Sequence, residues 1–166
     1  ELGIENAVLL IVGGASGING NSEVKKLQKR VEELGVEQQV RLIAPQPHHI
    51  LSTFYRASDM VIVPSKSESF GLVALEAAAC GTPVIAASVG GLQDLISHGE
   101  TGYLVNERDP KLYAYYAREI LTNPIHAAEM AMCAVEKARQ YSWRKTSGQI
   151  LSLYTSVNSR ALVECR

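Results

Sequence analysis

Five short runs of apolar and β-branched residues recur along the chain, and they constrain its fold more than any other feature. The runs are AVLLIV (7–12), VRLIA (40–44), MVIVP (60–64), PVIAA (83–87) and GYLV (102–105). Short, nearly continuous apolar runs of this kind are typical of strands that are buried on both faces of a sheet. We therefore predict five buried strands at these positions.

Amphipathic patterns with a helical period separate the strands. They predict helices over 22–35, 48–57, 70–80, 91–98, 109–121, 125–139 and 143–157. Ser22 is suited to cap the first helix, and Asp109-Pro110 is a typical helix start. Because strands and helices alternate, we predict an α/β fold, a Rossmann-like parallel sheet with helices on both faces.

Composition narrows the function classes. A chain of 166 residues is long enough for one domain with a core, and we find no linker inside it. The formal net charge of −1 leaves no basic stripe, which argues against a nucleic-acid partner. The cysteines Cys80, Cys133 and Cys165 lack metal or disulfide spacing, which favours a reducing, cytoplasmic setting. The apolar runs are too short for a transmembrane segment, which leaves peripheral contact with a membrane open.

The segment SKSESFGLVALEAAACGTP, residues 65–83, places a polar turn directly before an apolar helix. In an open parallel sheet, ligands bind beyond the carboxyl ends of the strands, where this turn lies. The turn brings the N–H groups of Phe70, Gly71 and Leu72 to a helix start, where they lack internal partners and carry partial positive charge. Gly71 would let a phosphate approach the backbone. The segment therefore predicts an anion site.

Two acids, Glu68 and Glu76, flank this predicted anion site. The carboxyl groups of a glycoside hydrolase pair lie about 5 to 9.5 Å apart, whereas helical positions eight apart are separated by about 12 Å. The spacing suits instead a nucleotide-sugar, which has separated hydroxyl groups on either side of a diphosphate. The alternative is that both acids are simply solvated, as most glutamates are. Against that alternative, the neighbours of Glu76 in LVALEAAAC are almost all apolar.

The stretch ESFGLVALE carries an E-x7-E pattern, and in this respect the chain resembles the family 4 retaining glycosyltransferases of the GT-B fold. FYRASDMVIVPS, GETGYLV and YSW extend the resemblance over nearly the whole chain. Within that family, the chain resembles the D-inositol-3-phosphate glycosyltransferase and sucrose-phosphate synthase groups. The resemblance implies that residues 1–166 are a single donor-binding domain, the C-terminal half of a two-domain hexosyltransferase.

The resemblance also assigns the residues that contact the donor. They are Gln46, Glu68, Ser69, Phe70, Gly71, Leu72 and Glu76. Glu68 would bond a hydroxyl of the donor sugar at the catalytic position without acting as a general base, and Glu76 would bind the ribose hydroxyls. The amides of residues 70–72 would hold sugar and phosphate oxygens, and Gln46 would lie near the base.

The chain departs from the family pattern at its beginning. It opens with ELGIENAVLLIVGG and has no initiator methionine, and the G-R-x4-K-type segment that clamps the diphosphate is absent. The strand that carries this segment in the family is absent too. In the family's strand order it lies between the strands 7–12 and 60–64. The N-terminal acceptor domain is absent too. We therefore expect a fragment of a larger enzyme, inactive by itself.

The resemblance also bears on substrates and cofactors. It favours a UDP-sugar as the donor and a small sugar, cyclitol or sugar phosphate as the acceptor. It requires no metal or other cofactor. The alternative function is that of a non-catalytic nucleotide-sugar-binding module.

Other features carry less weight. GGASGING (13–20) does not match the dinucleotide fingerprint G-x-G-x-x-G and predicts only a loop. SVGG (88–91) is consistent with either a tight turn or a backbone contact to the donor. His98 and His126 are predicted to be surface residues, and Trp143 to anchor the last helix. A response-regulator-like domain is disfavoured because the first strand ends in two glycines rather than in acids.

Overall fold

The computed structural model describes residues 3–4, 6–15, 20–106 and 109–158. The elements within these ranges are β1 Leu9–Val12, α1 Gly20–Leu34, β2 Val40–Ile43, α2 His48–Ala57, β3 Val61–Val63, α3 Leu72–Ala79, β4 Val84–Ala87, α4 Leu92–Leu95, β5 Gly102–Val105, α5 Pro110–Thr122, α6 Pro124–Ala138, a 3₁₀ turn Arg139–Tyr141, and α7 Trp143–Asn158. Every predicted strand is present, shortened by up to two residues at an end.

All of the strand pairs in the described residues are parallel. β1 pairs with β2, with Leu9 opposite Val40. β3, β4 and β5 form a second sheet in that order, with Val84 opposite both Val61 and Gly102. Parallel neighbours need a crossover connection, which the intervening helices provide. The predicted α/β class, with parallel strands and helices on both faces, is confirmed.

The chain divides into two compact units, Glu1–Phe54 and Tyr55–Arg166. In the first unit, the predicted burial of the strands on both faces is wrong. Leu9 and Leu10 of β1 and Leu42 of β2 are exposed, because the faces of a strand are buried only where other elements cover them. The prediction that residues 1–166 form one donor-binding domain stays a prediction.

The second unit contains a dense core around β4. All four residues of β4 are buried. Ala74 and Ala77 of α3 pack in the same core cluster, and Leu92 of α4 is fully buried there. The small side chains on α3 let this helix approach the sheet closely. The position of α3 is thus fixed by its buried alanine face.

Of two predicted helix starts, the one at Ser22 is wrong and the one at Asp109 is confirmed. α1 begins at Gly20, so Ser22 lies inside the helix and is not its cap. Residues 16–19 of the glycine-rich loop lie outside the described residues. Asp109 caps α5 as predicted, because its side chain accepts a hydrogen bond of 2.9 Å from the amide of Lys111, with proline next in the chain.

The last helix, α7, presents apolar residues to solvent. Trp143 is 88% exposed, so within the described part of the chain it does not anchor the helix, and that prediction is wrong. The other exposed apolar residues of α7 are Ile150, Leu151, Leu153, Tyr154 and Val157. None of the described helices is long and apolar enough to cross a membrane.

Candidate functional site

The helix that follows the polar turn starts at Leu72, two residues later than predicted. Gly71 is its N-cap, with a left-handed backbone at φ 99° and ψ 46°. A residue in that region cannot continue a helix, so Phe70 and Gly71 belong to the turn. The separation of about 12 Å that a continuous helix predicts for Glu68 and Glu76 therefore does not apply, because residues 68–71 are not helical.

Gly71 is needed for packing as well as for its backbone angles. A Cβ atom at this position would lie 2.8 Å from Cδ2 of Leu92 and 3.0 Å from Cδ1 of Leu95. These leucines belong to the buried core. Packing therefore requires this glycine, because a side chain would point into the core, and its predicted role in admitting a phosphate stays a prediction.

The backbone N–H groups of the turn are available to a ligand. No hydrogen bond to another described residue occupies the N–H groups of Phe70, Gly71 or Leu72, and no side chain caps α3. The first bond of the helix runs from the amide of Leu75 to the carbonyl oxygen of Gly71 at 3.0 Å. The structure thus gathers the three predicted donors at the positive end of a helix, where an anion is stabilised.

The backbone of Glu68 is held by a hydrogen bond, and its carboxylate has no partner among the described residues. Its carbonyl oxygen accepts a hydrogen bond of 3.1 Å from the amide of Gly91. Its side chain is partly exposed, and within the described ranges it makes no hydrogen bond or salt bridge. Ser69, the next residue, is exposed in the same turn. These two residues occupy the loop between β3 and α3, as predicted.

The glycines of SVGG bring a second loop against the first. Gly90 has φ 48°, and a Cβ atom there would overlap the carbonyl oxygen of Glu68. A Cβ atom at Gly91 would lie 2.6 Å from Cα of Phe70. The sequence left the role of these glycines open, and the structure shows that they permit close contact between the two loops. A glycine pair in the loop that follows a strand is a signal for such an approach.

Glu76 lies on the open face of α3. Leu72 and Val73, which precede it by four and three positions, are 61% and 47% exposed, whereas Ala74 and Ala77 face the core. Side chains on a helix lean toward its N-terminus, and this brings the carboxylate of Glu76 toward the turn. Glu76 itself is half-buried, so its side chain is neither fully solvated nor part of the core.

Tyr55, which the sequence analysis did not assign, holds Glu76. The Tyr55 hydroxyl donates a hydrogen bond of 2.9 Å to Oε2 of Glu76. Burial, this bond and the negative charge of Glu76 raise the pKa of Tyr55 above the usual tyrosine value. The missed signal is Glu76 itself, because a carboxylate among apolar neighbours requires a polar partner.

Phe70 connects the turn to the YSW segment. Its ring packs edge-on against the ring of Tyr141, with centroids 6.0 Å apart. The hydroxyl of Tyr141 points to the carbonyl oxygen of Asp94 at 3.5 Å. The sequence analysis used the YSW segment only as part of the family resemblance. In the structure, its tyrosine packs against the turn.

Gln46 and the two histidines each have a hydrogen-bond partner. Gln46 belongs to the first unit, where its side-chain amide donates to the carbonyl oxygen of Ala44 at 2.9 Å, and its place near a base stays a prediction. The two histidines have structural partners. His126 forms a hydrogen bond of 2.8 Å with the hydroxyl of Tyr103, and Nδ1 of His98 accepts from the amide of Leu104 at 3.1 Å.

Comparison with known proteins gives one family. The family described as "Glycosyl transferases group 1" matches residues 2–141. The D-inositol 3-phosphate glycosyltransferase of Thermobispora bispora is 43% identical over 153 residues, which are 92% of this chain and 36% of that protein. The chain thus spans little more than a third of this curated relative.

Solved structures agree with this match. Sucrose-phosphate synthase from Thermosynechococcus elongatus superimposes with a TM-score of 0.86 at 34% identity, covering 96% of this chain and 41% of the synthase. HepE from Anabaena, solved in complex with UDP, gives a TM-score of 0.86 at 27% identity and covers 92% and 42% of the two chains.

Proposed function

The chain belongs to the glycosyl transferases group 1 family, and from this premise we propose that it is the donor-binding domain of a retaining glycosyltransferase. The whole enzyme transfers a hexosyl group from a nucleoside diphosphate sugar to a small sugar, a cyclitol or a sugar phosphate. A UDP-sugar is supported by the UDP complex of HepE, and a cyclitol acceptor by the name of the Thermobispora relative. The proposed setting is the cytoplasm, in line with the cysteine pattern.

One observation carries the proposal: the uncapped start of α3 lies between Glu68 and Glu76 in the chain, with Glu76 on the open face of the helix. The N–H groups of Phe70, Gly71 and Leu72 bind the diphosphate oxygens. Glu76 binds the ribose hydroxyls, and Glu68 binds a hydroxyl of the donor sugar. Ser69 completes the donor contacts of this unit, and the contact of Gln46 with the base stays a prediction.

These contacts promote the reaction by stabilising the charge of the leaving diphosphate and by positioning the donor sugar. When the bond from the anomeric carbon to the diphosphate breaks, negative charge grows on the leaving diphosphate, and the fixed N–H dipoles of the helix start stabilise it. The acceptor hydroxyl attacks the face from which the diphosphate departs, which retains the anomeric configuration, and its proton passes to an oxygen of the departing diphosphate. Glu68 holds the sugar in place for this attack and takes no proton. In this proposal the amides supply the stabilisation, so no residue is assigned to a metal or cofactor.

The proposal is tested by calorimetric titration of the 166-residue chain with UDP and with UDP-glucose. We expect Glu76→Ala to weaken both ligands by about tenfold or more, because both contain the ribose. Glu68→Ala should weaken UDP-glucose but not UDP, because its contact is to the sugar. Glu129→Ala, at an exposed position of α6, is the control and should bind like the wild type.

Two results would contradict the proposal. One is that Glu76→Ala and Glu129→Ala bind UDP equally well. The other is that the wild-type chain binds neither ligand. ADP-glucose, titrated in parallel, tests the preference for uridine, and equal affinity for both sugars would contradict that part alone.

A further inference from the structure

We propose that Tyr55 is a positioning residue for Glu76, and that its hydroxyl holds the Glu76 carboxylate in the orientation that binds the nucleotide ribose. This inference rests on the proposed function, because it gives Tyr55 a role only if Glu76 binds the ribose. Tyr55 itself does not contact the donor. It acts through Glu76.

The geometry of the pair supports a positioning role. The hydroxyl of Tyr55 lies 2.9 Å from Oε2 of Glu76, and the bond joins residues 21 positions apart in the chain. A glutamate on a half-open helix face has three rotatable side-chain bonds and would otherwise sample several rotamers. A hydrogen bond to an ionised carboxylate is among the stronger ones in proteins, so it selects one orientation.

Tyr55 is itself held from a second direction. Its carbonyl oxygen accepts hydrogen bonds from the hydroxyl of Thr82 at 2.7 Å and from the amide of Ser58 at 3.1 Å. Thr82 is buried, at 2% exposure, and the Tyr55 side chain packs against the core cluster. The tyrosine therefore cannot follow a moving carboxylate, and it fixes Glu76 relative to the core.

The protonation state of Tyr55 suits a permanent donor. Burial is the main reason that its pKa lies above the usual tyrosine value, and the hydrogen bond and charge of Glu76 raise it further. The hydroxyl therefore keeps its proton at every pH near neutrality. Tyr55 donates and Glu76 accepts whenever the nucleotide arrives.

Fixing Glu76 before binding should raise affinity through preorganisation. Without the Tyr55 hydroxyl, the carboxylate loses a hydrogen bond that orients it, and a ligand has to restore that orientation on binding. The resulting loss of affinity affects only ligands that bind the Glu76 carboxylate. A nucleotide without ribose hydroxyls does not use it, so such a nucleotide is insensitive to Tyr55.

The test compares UDP with 2′,3′-dideoxy-UDP on the 166-residue chain. The wild type should prefer UDP, and Tyr55→Phe should reduce this preference by about tenfold while leaving the affinity for the dideoxy nucleotide unchanged. Glu76→Ala should abolish the preference, and the double variant should match Glu76→Ala. Tyr103→Phe is the matched control, since it removes another partly buried hydroxyl, the one bonded to His126, and it should keep the preference.

The failure of this inference can be told apart from the failure of the proposed function. If Tyr55→Phe keeps the wild-type preference while Glu76→Ala loses it, the inference is overturned and the proposed function stands. If Glu76→Ala also keeps the preference, or if the wild type has none, the proposed ribose contact is wrong. The inference and the proposed function are then both overturned. Should Tyr55→Phe not fold, Thr82→Val replaces it. Thr82→Val removes one of the two hydrogen bonds to the Tyr55 carbonyl oxygen and should reduce the preference, and an unchanged preference would overturn the inference.

Discussion

The backbone amide of Gly91 donates a hydrogen bond to the carbonyl oxygen of Glu68 across 3.1 Å, so the loop after β4 holds the loop after β3. β3 and β4 are adjacent parallel strands, and both loops leave the same edge of the sheet. Gly90 contributes by leaving space for the same carbonyl oxygen. The position of Glu68 is thus set by a contact between two loops rather than by its own side chain.

Gly90→Ala tests this loop contact. The new Cβ atom would overlap the carbonyl oxygen of Glu68, and the backbone at φ 48° disfavours any side chain. We expect the loop to shift, the stability to fall by about 1 to 3 kcal/mol, and UDP-glucose binding to weaken by about tenfold or more, because the amides of residues 70–72 move with the loop. Thermal unfolding and calorimetry measure the two effects.

Gly148→Ala is the matched control for that substitution. Gly148 lies in α7, and a Cβ atom there would meet nothing within 4 Å. Alanine should stabilise the helix by about 0.5 to 1 kcal/mol and leave binding unchanged. If Gly90→Ala binds UDP-glucose as tightly as Gly148→Ala does, the loop contact does not position the site.

Thr82→Val should destabilise the chain by about 1 to 2 kcal/mol. The Thr82 hydroxyl is buried and donates to the carbonyl oxygen of Tyr55 at 2.7 Å, and valine cannot donate. Thr122→Val removes an exposed hydroxyl that bonds the carbonyl oxygen of Arg118 at 2.8 Å and should cost much less. Urea unfolding of both variants measures the difference, and equal losses would show that the Thr82 bond adds nothing.

The raised pKa of Tyr55 predicts a loss of stability in alkali. Below about pH 10, the usual tyrosine pKa, the residue is protonated in both the folded and the unfolded chain and adds no pH dependence. As the pH rises from there toward the higher folded pKa, the unfolded chain loses its proton first, and the folded state becomes less stable.

Urea unfolding between about pH 8 and pH 11 checks this alkaline effect. We expect the midpoint of the wild type to fall more steeply above pH 10 than that of Tyr55→Phe. Tyr103, whose pKa burial also raises, contributes in the same direction, so Tyr103→Phe shows the size of a comparable effect. Parallel curves for the wild type and Tyr55→Phe would refute the shift at Tyr55.

We expect the 166-residue chain by itself to bind UDP-glucose without transferring glucose. The family resemblance places acceptor binding in the other half of the enzyme, and the chain spans 36% of the length of the Thermobispora relative. Release of UDP in the presence of D-inositol 3-phosphate is the measurement. Turnover by this chain would mean that the resemblance assigns acceptor binding to the wrong part of the protein.

Much of the fold follows from the sequence because its signals are local. The strand and helix positions come from apolar periodicity, and the cap at Asp109 comes from one side chain. The burial of β1 was not predictable in the same way. The residues of β1 and β4 are equally apolar, yet Leu9 is exposed while Ile85 is fully buried, because burial depends on which elements cover a strand.

The candidate site shows the same limit. The acids and the helix start are visible in ESFGLVALE, so the site residues could be named from the sequence. The bond from Tyr55 to Glu76 joins residues 21 positions apart, and the leucine that leaves no room for a side chain at Gly71, Leu92, is equally distant in the chain. No local pattern specifies these pairings, because they arise from the packing of α3 against its neighbours.

The most direct measurement is a titration of the ¹⁵N-labelled chain with UDP, followed by the chemical shifts of the backbone amides. If the start of α3 holds the diphosphate, the largest changes occur at Phe70, Gly71 and Leu72, and Glu76→Ala reduces them at equal UDP concentration. Changes confined to other parts of the chain, or amides of residues 70–72 that do not respond at saturating UDP, would contradict the proposed site.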